Sequence, residues 1–215
     1  MWLELHSIDR RVVSAFGELT MNSQHTFESL VRDAFATIIN RYGYRVVDAD
    51  GGSVRLDSVY STIIVRYDRQ RSFEVGVDFS ELVNGRPNRR ITFSLGEVFR
   101  EFSVPNATKI SVLQSSDLSS VQAFLVTAAK NLESFCGSIL RGESTAFTSV
   151  NERRSREALA YTQQVQIQSL RPKADTAWRE KRYQEFVDLF GQFKSDLPTA
   201  DRRKLDYAMK ALAEC

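Results

Sequence analysis

Scarcity says more about this chain than abundance. Its 215 residues include only two cysteines, two histidines and four prolines. Cys136 falls inside a predicted helix and Cys215 ends the chain, so they lack the even, closely spaced framework of a secreted disulfide domain. A reducing, cytoplasmic setting is the expectation. Zinc sites need several thiol or imidazole ligands in convergent spacing, and His6, His25, Cys136 and Cys215 form neither a C-x-x-C nor an H-x-x-x-H pattern. No metal or other cofactor is therefore expected. The same shortage argues against a Ser-His or Cys-His nucleophile pair. Apolar runs long enough to span a bilayer, about 18 residues, are absent. Glu4, His6, Asp9, Arg10 and Arg11 interrupt the apolar positions of the N-terminus, unlike a signal peptide.

An excess of one charge is also lacking. The 29 basic and 27 acidic residues leave +2, too little for a general attraction to nucleic acid or anionic membrane. The basic clusters Arg66/Arg69/Arg71, Arg86/Arg89/Arg90, Arg153/Arg154/Arg156 and Arg202/Arg203/Lys204 are short and offset by nearby acids, as on a solvated face. Glycine-rich phosphate loops are missing too, because Gly51-Gly52 lies between two predicted strands with no following helix. Asp57, Glu74 and Asp78 raise the question of a metal-dependent nuclease. Glu74 is followed by Val75, Gly76 and Val77, without the expected lysine, and strand alternation already explains the polar positions.

What is present suits a packed core: 42% hydrophobic residues, with 14 Phe and 7 Tyr to fill the volume. In residues 1–21, Trp2, Leu3, Leu5, Ile8, Val12, Val13, Phe16 and Leu19 show a rough helical spacing without a clear cap, as in an amphipathic extension. From Phe27 the pattern sharpens. Phe27, Leu30, Val31, Ala34, Phe35, Ile38 and Ile39 share one helical face, with Thr26 as N-cap and Gly43 as stop. Period-two segments follow at 44–48, 53–57, 61–67 and 72–79, separated by the turns Asp50-Gly51-Gly52 and Asp68–Arg71. After Asn84–Asn88, Arg90–Phe93 suggests an edge strand, and Leu95, Val98, Phe99 and Phe102 a short helix before Pro105.

The second half reads as helical. Leu118, Val121, Leu125, Ala128, Leu132, Phe135 and Ile139 step by three and four, a stripe that fits an internal helix covering the sheet better than a short dimerisation seam. Residues 151–169 are more polar, and Pro172 is expected to interrupt them. Asp175 to Glu214 reads as a helical hairpin. Trp178 and Tyr183 to Phe190 form its first arm, Leu197-Pro198-Thr199 its turn with Thr199 as cap, and Leu205 to Leu212 its second arm. The expected fold is α+β: an N-terminal helix and an antiparallel meander of three to five strands over residues 1–112, then a helical region over 113–215, the two either separate or continuous as one domain.

The order Trp178, Tyr183, an aliphatic-aromatic cluster, Pro198 and Leu205-x-x-Ala208-Met209 resembles one tetratricopeptide-type repeat. A single copy is expected to bury its face on preceding helices. The stretch Thr26–Phe79, with Tyr42-Gly-Tyr, Val65-Arg-Tyr-Asp and Ser72-Phe-Glu-Val-Gly-Val, resembles small bacterial proteins with one helix and a meander, some encoded beside toxins as immunity proteins or in defence loci. That resemblance implies an immunity or defence-associated protein. With no catalytic motif in the chain, the expectation is a non-catalytic protein that binds another protein, such as a toxin or defence effector, with a homo-oligomer left open. The candidate contacts are Arg55, Asp57, Arg66, Glu74 and Asp78 on the polar strand positions. The alternative is a nucleic-acid or phosphate-binding subunit using Arg86, Arg89 and Arg90, joined across the sheet end by Arg66 and Arg71.

Overall fold

The computed structural model describes residues 26–214. The apolar spacing proposed for residues 1–21, with His6, His25 and Cys215, lies outside them. Contact density divides the chain into two units at Ser144/Thr145. This falls later than the 112/113 boundary suggested by the sequence, because the helix after residue 117 packs within the sheet unit.

The first unit opens with α1 (Phe27–Ala34) and α2 (Ala36–Tyr42). Thr26 Oγ1 accepts the Ser29 N–H at 3.1 Å, satisfying one of the free donors of the first turn. Phe35, at φ −97° and ψ 10°, breaks what the periodicity presents as one helix. Its side chain nevertheless stays buried with Phe27, Leu30, Val31 and Ile38. Gly43 ends α2 at φ 72°, a left-handed conformation that costs glycine little.

The sheet runs β1 (Arg45–Asp50), β2 (Ser53–Asp57), β3 (Ser61–Tyr67), β4 (Glu74–Val83) and β5 (Arg86–Ser94), each antiparallel to the next in chain order. A short β6 (Leu113–Gln114) pairs with the start of β4 through Val75↔Leu113 and Glu74↔Gln114. Two turns explain departures from the expected strand limits. Asn84 and Gly85 both have positive φ, 52° and 71°, and link Val83 to its partner Arg86 as a two-residue hairpin. Consequently β5 begins at Arg86, where the sequence suggested a loop through Asn88. Phe73, at φ 54°, delays β4 to Glu74.

Strand alternation separates two faces. Val54, Leu56, Ile63, Val65, Tyr67, Val75, Val77, Phe79 and Phe93 are buried on one of them. After β5 come α3 (Leu95–Glu101), α4 (Ala107–Ile110), α5 (Leu118–Phe135) and α6 (Gly137–Leu140). Ser94 and Glu97 form a reciprocal capping box at α3. Asp117 caps α5, and hydrogen bonds from Ser119 and Ser120 hold its carboxyl far below the usual range. Most of the expected stripe is buried, with Val121, Leu125, Ala128, Ala129 and Leu132 inside and the helix against α1, whereas Phe135 is exposed and Ile139 falls in α6.

The second unit contains α7 (Ser144–Arg179, shared at its first residue), α8 (Tyr183–Phe190) and α9 (Thr199–Ala213). α7 continues through Pro172, which the sequence suggested as a break. A proline there forfeits one backbone hydrogen bond. Burial of Ala174 and Ala177 with Phe186, Phe190, Leu205 and Ala208 holds the helix together across it. The expected first hairpin arm is instead divided, because Lys181 at φ 56° ends α7 before α8 begins. Pro198, not Thr199, occupies the α9 cap position, and Thr199 is the first helical residue.

Candidate functional site

The polar sheet face holds the residues proposed from sequence. Register places Arg55, Ile64, Asp78 and Ser94 in one row and Asp57, Thr62, Ser80 and Thr92 in the next. Arg55 Nε donates to Asp57 Oδ1 at 2.9 Å on the same strand. Arg66 pairs with Asp78 across strands, where Gly76 directly opposite Arg66 supplies no side chain to obstruct the diagonal. Arg66, Glu74 and Asp78 border a shallow groove of about 280 Å³ with Ser94, Ser111 and Val112. Burial pushes the Asp78 carboxyl up, and the Arg66 guanidinium partly opposes that shift.

Four of the five proposed contacts are thus committed to one another. Their charges cancel locally, so the face offers a partner little unsatisfied attraction. Glu74 stands apart at the end of β4 beside Gln114.

The same register separates Arg66 from the proposed patch of Arg86, Arg89 and Arg90. Arg86 pairs with Val83, whereas Arg66 pairs with Gly76, seven residues back along β4. At about 3.3 Å per residue those positions stand roughly 23 Å apart. Arg89 and Arg90 follow on β5, their side chains lying outside what the structure describes. Arg86 and Arg66 therefore occupy opposite ends of the sheet. Asp57, Glu74 and Asp78 do not converge either, and no group of three His, Cys, Asp or Glu side chains suited to a metal occurs among the described residues.

A different site emerges at the turn between β2 and β3. Arg41, Tyr42, Gly43, Ser58, Val59, Tyr60 and Arg141 line a cavity of about 490 Å³. Val59 is 74% exposed and Tyr60 61% exposed, so the turn tip presents two adjacent large apolar side chains to solvent. Their backbone is nevertheless fixed. Ser58 Oγ accepts the N–H groups of Tyr60 and Ser61 at 3.3 and 3.0 Å. Tyr60 O accepts the Leu82 N–H at 2.7 Å, tying the turn to β4. On the remaining side Gly142, at φ 72°, lies so close that a Cβ there would be 2.3 Å from Tyr60 Cβ.

One buried phenol joins the three chain segments of this cavity. Tyr44, two per cent exposed, lies 2.6 Å from Ser61 Oγ and donates to the Leu140 carbonyl at 3.2 Å. Its neighbours in sequence are Tyr42 and Gly43, those of Ser61 are Val59 and Tyr60, and that of Leu140 is Arg141. Burial pushes the Tyr44 hydroxyl up to about 12, so it remains a donor throughout the neutral range. On the cavity surface Arg41 lies 5.7 Å over the Tyr42 ring. Arg41 has no acidic partner among the described residues, and Arg141 is held by the exposed Glu143 at 2.7 Å.

Sequence reasoning missed this cavity. Its signal was Ser58-Val59-Tyr60, a turn carrying two large apolar residues where polar ones are usual.

In the second unit Trp178, Tyr183 and Tyr207 meet pairwise at 5.7 to 5.8 Å between ring centroids, with Lys204 over Trp178. Rings in mutual contact form a packed cluster rather than a cage open to a cation. No helix among the described residues is long and apolar enough to cross a membrane. No protein-family model, curated protein or solved structure matches the chain.

Proposed function

We propose that this protein acts by binding another protein, through the cavity at the β2–β3 turn. The observation that carries the reading is Tyr60, a largely exposed aromatic on a backbone restrained by Ser58, Leu82 and Gly142. Solvent exposure of a large apolar side chain gains nothing for folding. Holding it in one place instead removes part of the ordering cost that a binding partner has to meet. Tyr and Arg, the residue types of this cavity, are also those that most often dominate binding energy at protein interfaces.

A bacterial immunity or defence role belongs to the same proposal. It rests on the pattern of Thr26–Phe79 and makes a neighbouring toxin or defence effector the first partner to examine. The paired charges of Arg55/Asp57 and Arg66/Asp78 take a supporting place in this reading, as the polar surface beside the contact rather than its centre.

The test is purification of the full chain from its native host, alongside Tyr60→Ala. A stoichiometric protein partner retained by the natural chain and lost by the variant is the expected result. A partner retained equally by both places the contact elsewhere. Absence of any partner, a second copy included, overturns the binding reading.

A further inference from the structure

Resting on that reading, we infer that the Tyr60 cavity recognises an acidic segment of its partner, one in which a carboxylate side chain lies next to an apolar one. The inference comes from the juxtaposition of two kinds of surface. Arg41 and Arg141 supply the cations, while Val59, Tyr60 and the Tyr42 ring supply apolar area.

The charge balance of the cavity is positive. Arg41 is exposed and bonded to no acid among the described residues, and its guanidinium lies over the Tyr42 ring, 5.7 Å from the centroid. Among the described residues the acid that Arg141 meets is Glu143, and both members of that pair are exposed, 58% and 44% at the side chain. Exposed pairs of this kind contribute little and exchange readily for a stronger partner. A guanidinium offers paired N–H donors in the geometry a carboxylate accepts, so an incoming Asp or Glu gains charge-assisted hydrogen bonds at modest cost.

Within the apolar component Val59 favours a protein segment over a nucleic-acid strand, whereas the Tyr42 and Tyr60 rings suit either. Val59 is aliphatic and 74% exposed; it gains from burial against another apolar side chain and provides no surface on which a base stacks. Two arginines in a chain of net charge +2 also give little of the extended field that a polyanion requires. Tyr60 gives the apolar side chain of the partner a fixed wall, since its backbone cannot retreat past Gly142.

The experiment uses a random linear-peptide library displayed on phage, selected on the full chain. Enriched peptides are then synthesised and titrated against the natural chain, Arg41→Glu and Tyr60→Ala. Both substitutions fall on exposed side chains, and circular dichroism confirms that the variants fold. The expected result is enrichment of Asp- or Glu-containing sequences with an adjacent aliphatic or aromatic residue. Their affinity is expected to fall about tenfold or more with either variant, and to weaken between about 50 and about 500 mM salt.

Neutral or basic enriched sequences, affinities unchanged by Arg41→Glu, or a library that yields nothing each overturn the inference. A single-stranded oligonucleotide that binds in a manner abolished by both variants also overturns it, by reassigning the cavity. The two proposals fail separately. A host partner lost with Tyr60→Ala but indifferent to Arg41→Glu leaves protein binding in place and removes the acidic segment.

Discussion

Tyr44 donates its phenolic hydrogen to the backbone carbonyl of Leu140, 3.2 Å away in space and 96 residues away in the chain. The same oxygen lies 2.6 Å from Ser61 Oγ. Through this one atom the end of the first helical segment, the start of β3 and the end of α6 are held in register. All three lead directly into cavity residues.

Removing the hydroxyl tests that arrangement. Tyr44→Phe preserves the buried ring but leaves the Leu140 carbonyl without its partner, a loss of about 1–2 kcal/mol expected in urea unfolding at neutral pH. The pH dependence has a definite sign. The folded-state pKa is about 12 against an unfolded value of 10.0, so the folded protein retains a proton that the unfolded chain releases. Stability from this group is present below pH 10 and is lost as pH rises to about 12. The loss approaches about 3 kcal/mol. Tyr44→Phe lacks it, so the gap of about 1–2 kcal/mol between natural chain and variant narrows across that window and then reverses as pH approaches about 12. A constant gap contradicts a buried protonated phenol.

Legibility followed the range of the signal. Period-two alternation and local turn chemistry marked β2, because Ser53–Asp57 alternates cleanly and Asp50 Oδ1 accepts the Gly52 N–H in the turn before it, while the apolar, β-branched run of Ser61–Tyr67 marked β3. The Thr26 cap and the Gly43 stop were legible for the same local reason. Pro172 misled because its cost is local, while the burial of Ala174 and Ala177 that overrides it comes from α8 and α9. The ion pairs of the polar face were hidden as well. Residues 55 and 57 share a face by alternation, but the meeting of Arg66 with Asp78 depends on a register set by the whole β3–β4 hairpin. The Tyr60 cavity depends on contacts with Leu140 and Gly142, far along the chain, and only its apolar turn tip left a trace.

Thr62 offers a stabilising substitution. It is fully buried on the polar face of β3, and its Oγ1 has no hydrogen-bond partner among the described residues. A buried hydroxyl without a partner keeps its desolvation cost and gains nothing in return. Valine has nearly the same shape and a strong preference for strands. Thr62→Val is expected to raise stability by about 1 kcal/mol, read as a higher unfolding midpoint with an unchanged denaturant slope. A fall in the midpoint shows that the hydroxyl is satisfied.

Asp78 carries a pH signature opposite to that of an ordinary paired carboxylate. Burial raises its pKa despite Arg66, so the folded state binds a proton more tightly than the unfolded chain. The contribution of this group to stability therefore decreases as pH rises from the unfolded carboxylate value through the raised folded one. Asparagine removes the charge while retaining the size. Arg66 is 53% exposed at its side chain, so water can solvate it once its partner is neutral. Asp78→Asn is accordingly expected to gain on the natural chain as pH rises from about 4 to about 7, with a difference of order 1 kcal/mol or less at neutrality. If the variant instead loses ground over that range, the Arg66 pair outweighs burial.

The break between α7 and α8 gives a prediction that contacts alone would miss. Lys181 adopts φ 56° where the helix ends. The Arg182 N–H bonds back to the Ala177 carbonyl at 2.8 Å and the Lys181 N–H to that of Trp178 at 3.1 Å. That pair of bonds is the helix stop in which glycine is preferred, because a side chain in the left-handed region costs about 1–2 kcal/mol. Lys181 is exposed, so replacing it sacrifices no burial. Glycine also loses more chain entropy on folding, which returns part of the gain. The net expectation for Lys181→Gly is stabilisation of about 0.5–1 kcal/mol, whereas Lys181→Ala keeps the strain and stays within about 0.5 kcal/mol of the natural chain. Calorimetry of the three proteins separates the causes: glycine must be the most stable, and an alanine variant that equals it would trace the gain to loss of the lysine side chain rather than to relief of its backbone.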